Sequence, residues 1–155
     1  MSNFNPDDLL HIAVEASNST ITVPVPLGEW PGTLGKPTFK QVTIKNGDRA
    51  GEVIYFFETN VEIVDPAVKE ETGRDKNFVR YSASIDLNED GGISTSEGAN
   101  VDFGRLREAC GLNDDPDFTP SMFEGQNIMD SIKHRADPDD ATKIYAEAKG
   151  VRAPE

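Results

Sequence analysis

Residues 86–97 carry the side-chain spacing of a calcium-binding loop. Oxygen-bearing side chains recur at the alternate positions that ligate Ca²⁺ in an EF-hand, and Gly91 lies where such a loop turns sharply. An EF-hand also needs a helix on each side, whereas residues 78–85 alternate with period two, so the segment also fits an acidic turn after a strand. The candidate ligands are Asp86, Asn88, Asp90, Gly92 (through its carbonyl), Ser94 and Glu97.

A second set of candidates consists of aromatic and basic side chains on alternating segments. Residues 52–64 alternate so that one face is apolar and Phe56 lies on the other. Residues 77–87 repeat the pattern, with Phe78 and Arg80 opposite the apolar face. Aromatic rings and guanidinium groups on an exposed sheet face suit the unstacked bases of a single strand. The alternative is that Phe56 and Phe78 are covered by the N-terminal helix or by a loop.

The last two extended segments, about 126–135 and 141–151, are predicted to form a hairpin with basic groups near its ends. Such a hairpin could follow a phosphate backbone. The alternative is an ordinary face of solvated charges. The candidate residues are Lys133, Arg135, Lys143, Tyr145 and Lys149.

The overall charge restricts where a polyanion could bind. The chain has 15 Lys and Arg against 28 Asp and Glu, a formal net charge of -13. Taken as a whole such a chain repels phosphate, so nucleic-acid binding requires a local basic surface, because neutralised phosphates supply much of the affinity. A further possibility is a protein-interaction barrel whose acidic surface engages a basic partner.

These candidates must be positioned by a small set of elements around a helix at about residues 100–111. Asn100 is its expected N-cap, Gly111 its C-terminal residue, and Phe103, Leu106 and Cys110 form a buried stripe. Three extended segments precede this helix and two follow it, which predicts a mainly β fold, a five-stranded OB-fold barrel with the helix between strands three and four. The five segments are about residues 38–45, 52–64, 77–87, 126–135 and 141–151.

The remaining sequence predicts one domain over residues 1–155. A short helix over about residues 6–16, capped by Asn5 with Pro6 at its first position, begins an N-terminal helix and extended arm at about 1–30. No apolar run approaches the roughly 20 residues that span a bilayer, and no signal peptide is evident. We therefore expect a cytoplasmic protein without membrane association.

Signatures of catalysis are missing from the sequence. It has no Gly-x-Ser-x-Gly, no phosphate-binding Gly-x-x-x-x-Gly-Lys-Ser/Thr, no His-Glu-x-x-His and no Cys-x-x-Cys. Two isolated histidines do not form a recognisable zinc site. We expect neither an enzyme nor a cofactor.

Several short segments, in their order and spacing, resemble a group of small bacteriophage proteins that bind single-stranded DNA through an OB-fold. The resemblance spans about residues 7–154. It implies a protein that coats exposed strands during phage DNA replication or recombination in the bacterial host, beside phage or host replication and recombination proteins. The segments are Pro26-Leu-Gly-Glu-Trp, Gly98-Ala-Asn-Val-Asp-Phe-Gly-Arg-Leu-Arg-Glu-Ala-Cys-Gly, Phe123-Glu-Gly-Gln, Ile132-Lys-His-Arg and Tyr145-Ala-Glu-Ala-Lys-Gly-Val.

Overall fold

The computed structural model describes residues 4–19 and 22–154, and these form a mainly β fold, as the sequence predicts. Parts of the predicted arm, at residues 1–3, 20 and 21, and the last residue of the predicted domain, 155, lie outside the described residues. The strands are β1 (Gly28–Leu34), β2 (Thr38–Thr43), β3 (Val53–Ile63), β4 (Asn77–Ile85), β5 (Asn127–Ala136) and β6 (Ile144–Arg152). The helices are α1 (Pro6–Leu9), α2 (Pro66–Thr72) and α3 (Val101–Ala109), with a 3₁₀ turn at Pro120–Phe123.

The six strands form one sheet in the order β1-β5-β6-β4-β3-β2, and β1 also pairs with β3. Five strands therefore close into a ring of pairings, and β2 continues beyond the ring beside β3. The β4–β6 pairing is parallel and the others are antiparallel. Helix α3 lies in the chain between β4 and β5, as expected.

The strand that the sequence pattern does not predict is β1. Its sequence contains two glycines and a proline, residue types that are depleted in strands. Gly32 is needed because β1 crosses very close to β3: a Cβ atom at this position would lie 2.4 Å from the Val61 side chain. Tertiary packing thus overrides local preference, and the described residues form six strands where five were predicted.

The core lies inside the ring and confirms the predicted alternation. Phe57, Val61 and Ile63 of β3 are buried, as are the inward side chains of β4. The Phe57 ring packs edge-on against Phe103 of α3 and Phe123, each with ring centroids 5.4 Å apart. Aromatic packing therefore joins α3 to the sheet.

The N-terminal helix begins as predicted but is shorter. The Asn5 side chain accepts a hydrogen bond from the backbone N–H of Asp7, and Pro6 follows the cap. Helix α1 ends at Leu9 rather than near residue 16, and none of its residues is buried. A short helix without packing is marginal in water, which explains the early end. Among the described residues, no helix is both long and apolar enough to cross a bilayer.

Candidate nucleic-acid interface

The strand pairings place the predicted residues of β4, β5 and β6 on one outer face of the sheet. Since the alternate residues of β4 are buried, Phe78 and Arg80 point outward. Arg80 is the register partner of Glu147 on β6, and Glu147 is the register partner of Lys133 on β5. The next pair on the same face of the β5–β6 hairpin is Arg135 with Tyr145. Residues distant in sequence are therefore neighbours.

Phe78 and Tyr145 line the same groove at one end of this face. Phe78 precedes Arg80 on β4 by two residues, and Tyr145 precedes Glu147 on β6 by two residues. The parallel Arg80–Glu147 register therefore places both aromatic residues at the same level of adjacent strands. Phe78 is 61% exposed and Tyr145 is 42% exposed, so Phe78 is not covered by a helix or loop. The groove has a volume of about 560 Å³.

None of the described residues that line this groove is acidic, which is notable in a chain with a net charge of -13. Its charged groups are Arg74, Lys76 and Lys143. Arg74 and Lys76 are not among the residues predicted from the sequence. Both lie within four residues of Phe78, and this basic run directly after Gly73 was the available signal. The described residues that line the groove are Thr22, Val23, Pro24, Val25, Arg74, Lys76, Asn77, Phe78, Lys143, Ile144, Tyr145 and Ala146.

The wall formed by residues 22–25 is held in place by two side chains. The Arg74 guanidinium donates to the Val23 carbonyl at 2.7 Å. A ring nitrogen of His134 lies 2.7 Å from the Val25 carbonyl oxygen. The extended arm therefore has a defined position beside β4 and the β5–β6 hairpin.

A loop at residues 137–143 positions Lys143 and Tyr145. The Tyr145 hydroxyl donates to the Asp137 carboxylate at 2.9 Å, and this bond raises the pKa of Tyr145. The Asp139 backbone N–H is the main cause of the lowered pKa of Asp137, to which Tyr145 also contributes. The loop is closed by the backbone N–H of Asp137, which donates to the Lys143 carbonyl. The groove mouth is thus built on an ordered turn.

Ion pairs compensate part of the positive charge on the outer face. The Glu147 carboxylate contacts Arg135 at 2.5 Å and Lys133 at 3.8 Å. Glu58 contacts Lys40 and, at 3.4 Å, Arg80. The Glu147 carboxylate is 28% exposed and its two cations are more than half exposed, so these surface pairs are weak and Lys133 and Arg135 can exchange Glu147 for phosphates. The Glu58 carboxylate is only 13% exposed, so its pairs with Lys40 and Arg80 are not surface pairs of this kind.

Five of the eight predicted residues lie outside the groove lining: Arg80, Lys133 and Arg135 on β4 and β5, together with Phe56 and Lys149. Phe56 is on the outer face of β3, half-buried, with the Lys40 ammonium 5.7 Å from its ring centroid. Lys149 is exposed on β6, where the register with β5 shifts between Ser131 and Ile132. The structure therefore brings together Phe78, Arg80, Lys133, Arg135, Lys143 and Tyr145.

The candidate calcium loop at residues 86–97 forms a compact turn after a strand. Strand β4 enters it where an EF-hand has a helix. The Gly92 carbonyl, a candidate ligand, accepts the Asn88 N–H at 2.7 Å, and the Asp90 carboxylate accepts the Gly92 N–H. Across the described ranges no group of three or more His, Cys, Asp or Glu side chains could hold a metal ion.

Asn100 anchors this loop instead of capping α3, so the predicted capping role is wrong. Its backbone is left-handed, with φ of 55°, and its side chain makes no capping bond. The side-chain oxygen accepts the Asp86 N–H at 2.7 Å, and the amide nitrogen donates to the carbonyls of Asp86 and Ser94, each at 2.9 Å. Three hydrogen bonds thus join the two ends of the loop.

Comparisons of this chain with models of protein families, with curated proteins and with solved structures find no match. The resemblance to phage proteins stays a prediction. The geometry of the outer face and its groove is therefore the basis for a functional assignment.

Proposed function

We propose that this chain is a non-catalytic OB-fold protein that binds single-stranded DNA. The pairing order supports the fold: β1 and β2 together act as one bent first strand, followed by β3 and β4, then α3, then β5 and β6. The partly open five-stranded barrel of an OB-fold has this succession and uses the face of its second and third strands to bind oligonucleotides.

The observation that carries the proposal is the groove lined by Phe78 and Tyr145, whose described lining residues include three basic and no acidic side chains. Aromatic rings stack on bases of any identity, and each such contact is worth about 1–3 kcal/mol. Lys143 lies beside the rings in the loop between the last two strands, which is a second oligonucleotide-binding region of OB-folds. We assign base stacking to these rings and phosphate contacts to Arg74, Lys76 and Lys143.

The remaining basic groups extend this site along the outer face. Arg80 on β4 and Lys133 and Arg135 on β5 are exposed and lie on either side of β6, and Phe56 offers a further ring toward β2. A duplex hides the faces of its bases, so stacking favours unpaired strands. The proposed role is to cover exposed single strands, with little sequence preference, during phage DNA replication or recombination in a bacterial cytoplasm.

The test is fluorescence anisotropy of a labelled oligo-dT, longer than the roughly 4–16 nucleotides that one OB-fold covers, titrated at low and moderate salt with duplex DNA as competitor. We expect single strands to be preferred and affinity to fall steeply with salt. The matched charge variants are K143Q, in the groove, and R105Q, on α3. Only K143Q should weaken binding. Absence of binding at low salt would refute the proposal.

A further inference from the structure

Strand β2 presents an open sheet edge. It pairs with β3, and within the described residues no strand pairs with its other side. All six of its residues are exposed, including Phe39 at 49%, although the Phe39 ring contacts the core ring of Phe57. An edge of this kind is a template for an added strand.

The backbone groups available on this edge follow from the hydrogen bonds to β3. The Ile44 N–H donates across to the Glu52 carbonyl. Because N–H groups alternate in direction along a strand, those of Phe39, Gln41 and Thr43 point away from β3. Their side chains are on the core face, since Phe39 contacts Phe57.

Residues 10–15 have the alternating pattern of a strand, although they belong to none of the described strands. Leu10, Ile12 and Val14 alternate with more polar residues over residues 10–15. Their exposures are 78%, 62% and 73%, so the isolated chain leaves all three side chains in water. Neighbouring exposed apolar side chains of this kind are typical of an interaction site.

The two features are complementary in charge. Residues 30–47, which include β2, contain three lysines and no Asp or Glu. Residues 4–19 contain Asp7, Asp8 and Glu15 and no Lys or Arg. Opposite charges across a contact favour the encounter and fix its register.

We propose that residues 10–15 of one copy pair as an added strand with the β2 edge of a second copy. Leu10, Ile12 and Val14 then extend the core face and cover Phe39, while the alternate residues lie on the outer face with Lys40. Within one chain both surfaces stay open, so each copy offers one edge and one segment. Such a head-to-tail contact can link successive copies.

The test is sedimentation velocity of the full chain, without DNA, over a wide range of protein concentration. We expect self-association that weakens at least tenfold in I12D, which changes the segment, and in Q41P, which removes an outward N–H of the edge and leaves the bonds to β3. The matched control is A13D, which adds the same charge on the opposite face of the segment and should retain association.

Mixing the two variants makes the assignment specific. I12D keeps an intact edge and Q41P keeps an intact segment, so the mixture should form a one-to-one pair at concentrations at which each variant alone is mainly monomeric. A wild-type chain that stays monomeric overturns the proposal. So does protection of residues 10–15 from hydrogen exchange that is independent of protein concentration, which would place the segment on its own edge.

Discussion

Glu147 on β6 is the register partner of Arg80 on β4, in the parallel pairing between these strands. On its other side Glu147 is the partner of Lys133, and its carboxylate contacts both Lys133 and Arg135. This carboxylate thus lies among three cations of the proposed DNA site: Arg80 on β4, and Lys133 and Arg135 on β5. It competes with phosphate for them.

The first prediction concerns this carboxylate. E147Q keeps the shape of the side chain and removes its charge, so the basic groups around it are released for phosphate. We expect oligo-dT to bind about three- to tenfold more tightly at low salt, because an exposed ion pair is worth on the order of 1 kcal/mol. Anisotropy titrations measure the change. The control is E108Q, which removes the same charge at an exposed position of α3 and should have a smaller effect. Weaker binding by E147Q than by the wild type would contradict the assignment.

The second prediction concerns base stacking in the groove. F78A removes a ring that is mostly exposed, so the free energy of unfolding should change little while the affinity for oligo-dT falls about 5- to 100-fold. Y145F keeps the ring and should bind nearly as well as the wild type, unlike Y145A. V101A changes another exposed apolar residue, on α3, and is the control. Unchanged affinity of F78A for oligo-dT would contradict the assignment of base stacking to Phe78.

The alternation of β3 and β4 was predictable because a half-buried strand repeats every two residues, and both the core face and Phe78 follow from it. The position of Arg80 beside Glu147 was not predictable, since it depends on the parallel register of β4 and β6, which no local pattern encodes. The same holds for the arm at residues 22–25, which is placed by Arg74 and His134.

Strand β1 and Asn100 show where local rules fail. Local propensity disfavours the glycines and the proline of β1. A glycine is nevertheless required at position 32, because the strand closely approaches Val61 there. Asn100 precedes a helix and has a capping side chain, but its amide bonds to the preceding loop instead. In both cases a contact between segments outweighs the local preference.

The third prediction follows from that amide. N100G keeps the left-handed backbone without strain but loses the three side-chain hydrogen bonds, and N100A loses the bonds and adds strain. We expect N100G to lower the free energy of unfolding by about 1–3 kcal/mol and N100A by about 1 kcal/mol more. Urea unfolding measures both. Equal stability of N100G and the wild type would contradict the anchoring role, and a calcium titration of the same samples tests the candidate ligands at residues 86–97.

The fourth prediction concerns Asp130, which is fully buried on β5 between Trp30 and Val151 of the neighbouring strands. Neither carboxyl oxygen has a hydrogen-bond partner among the described residues. Burial raises the pKa of Asp130 to about 7. Tyr81, whose pKa is raised by burial and by nearby acids including Asp130, keeps its proton throughout the range in which Asp130 titrates.

The folded protein therefore binds the Asp130 proton more tightly than the unfolded chain, in which an Asp pKa is about 3.9. Its contribution to stability is complete below about pH 4 and is lost as the pH rises to about 7. D130N cannot ionise, so relative to the wild type it should gain on the order of 4 kcal/mol of stability between pH 4 and pH 8. Urea unfolding at several pH values measures this difference. A constant difference across that range would show that Asp130 does not change its protonation state there.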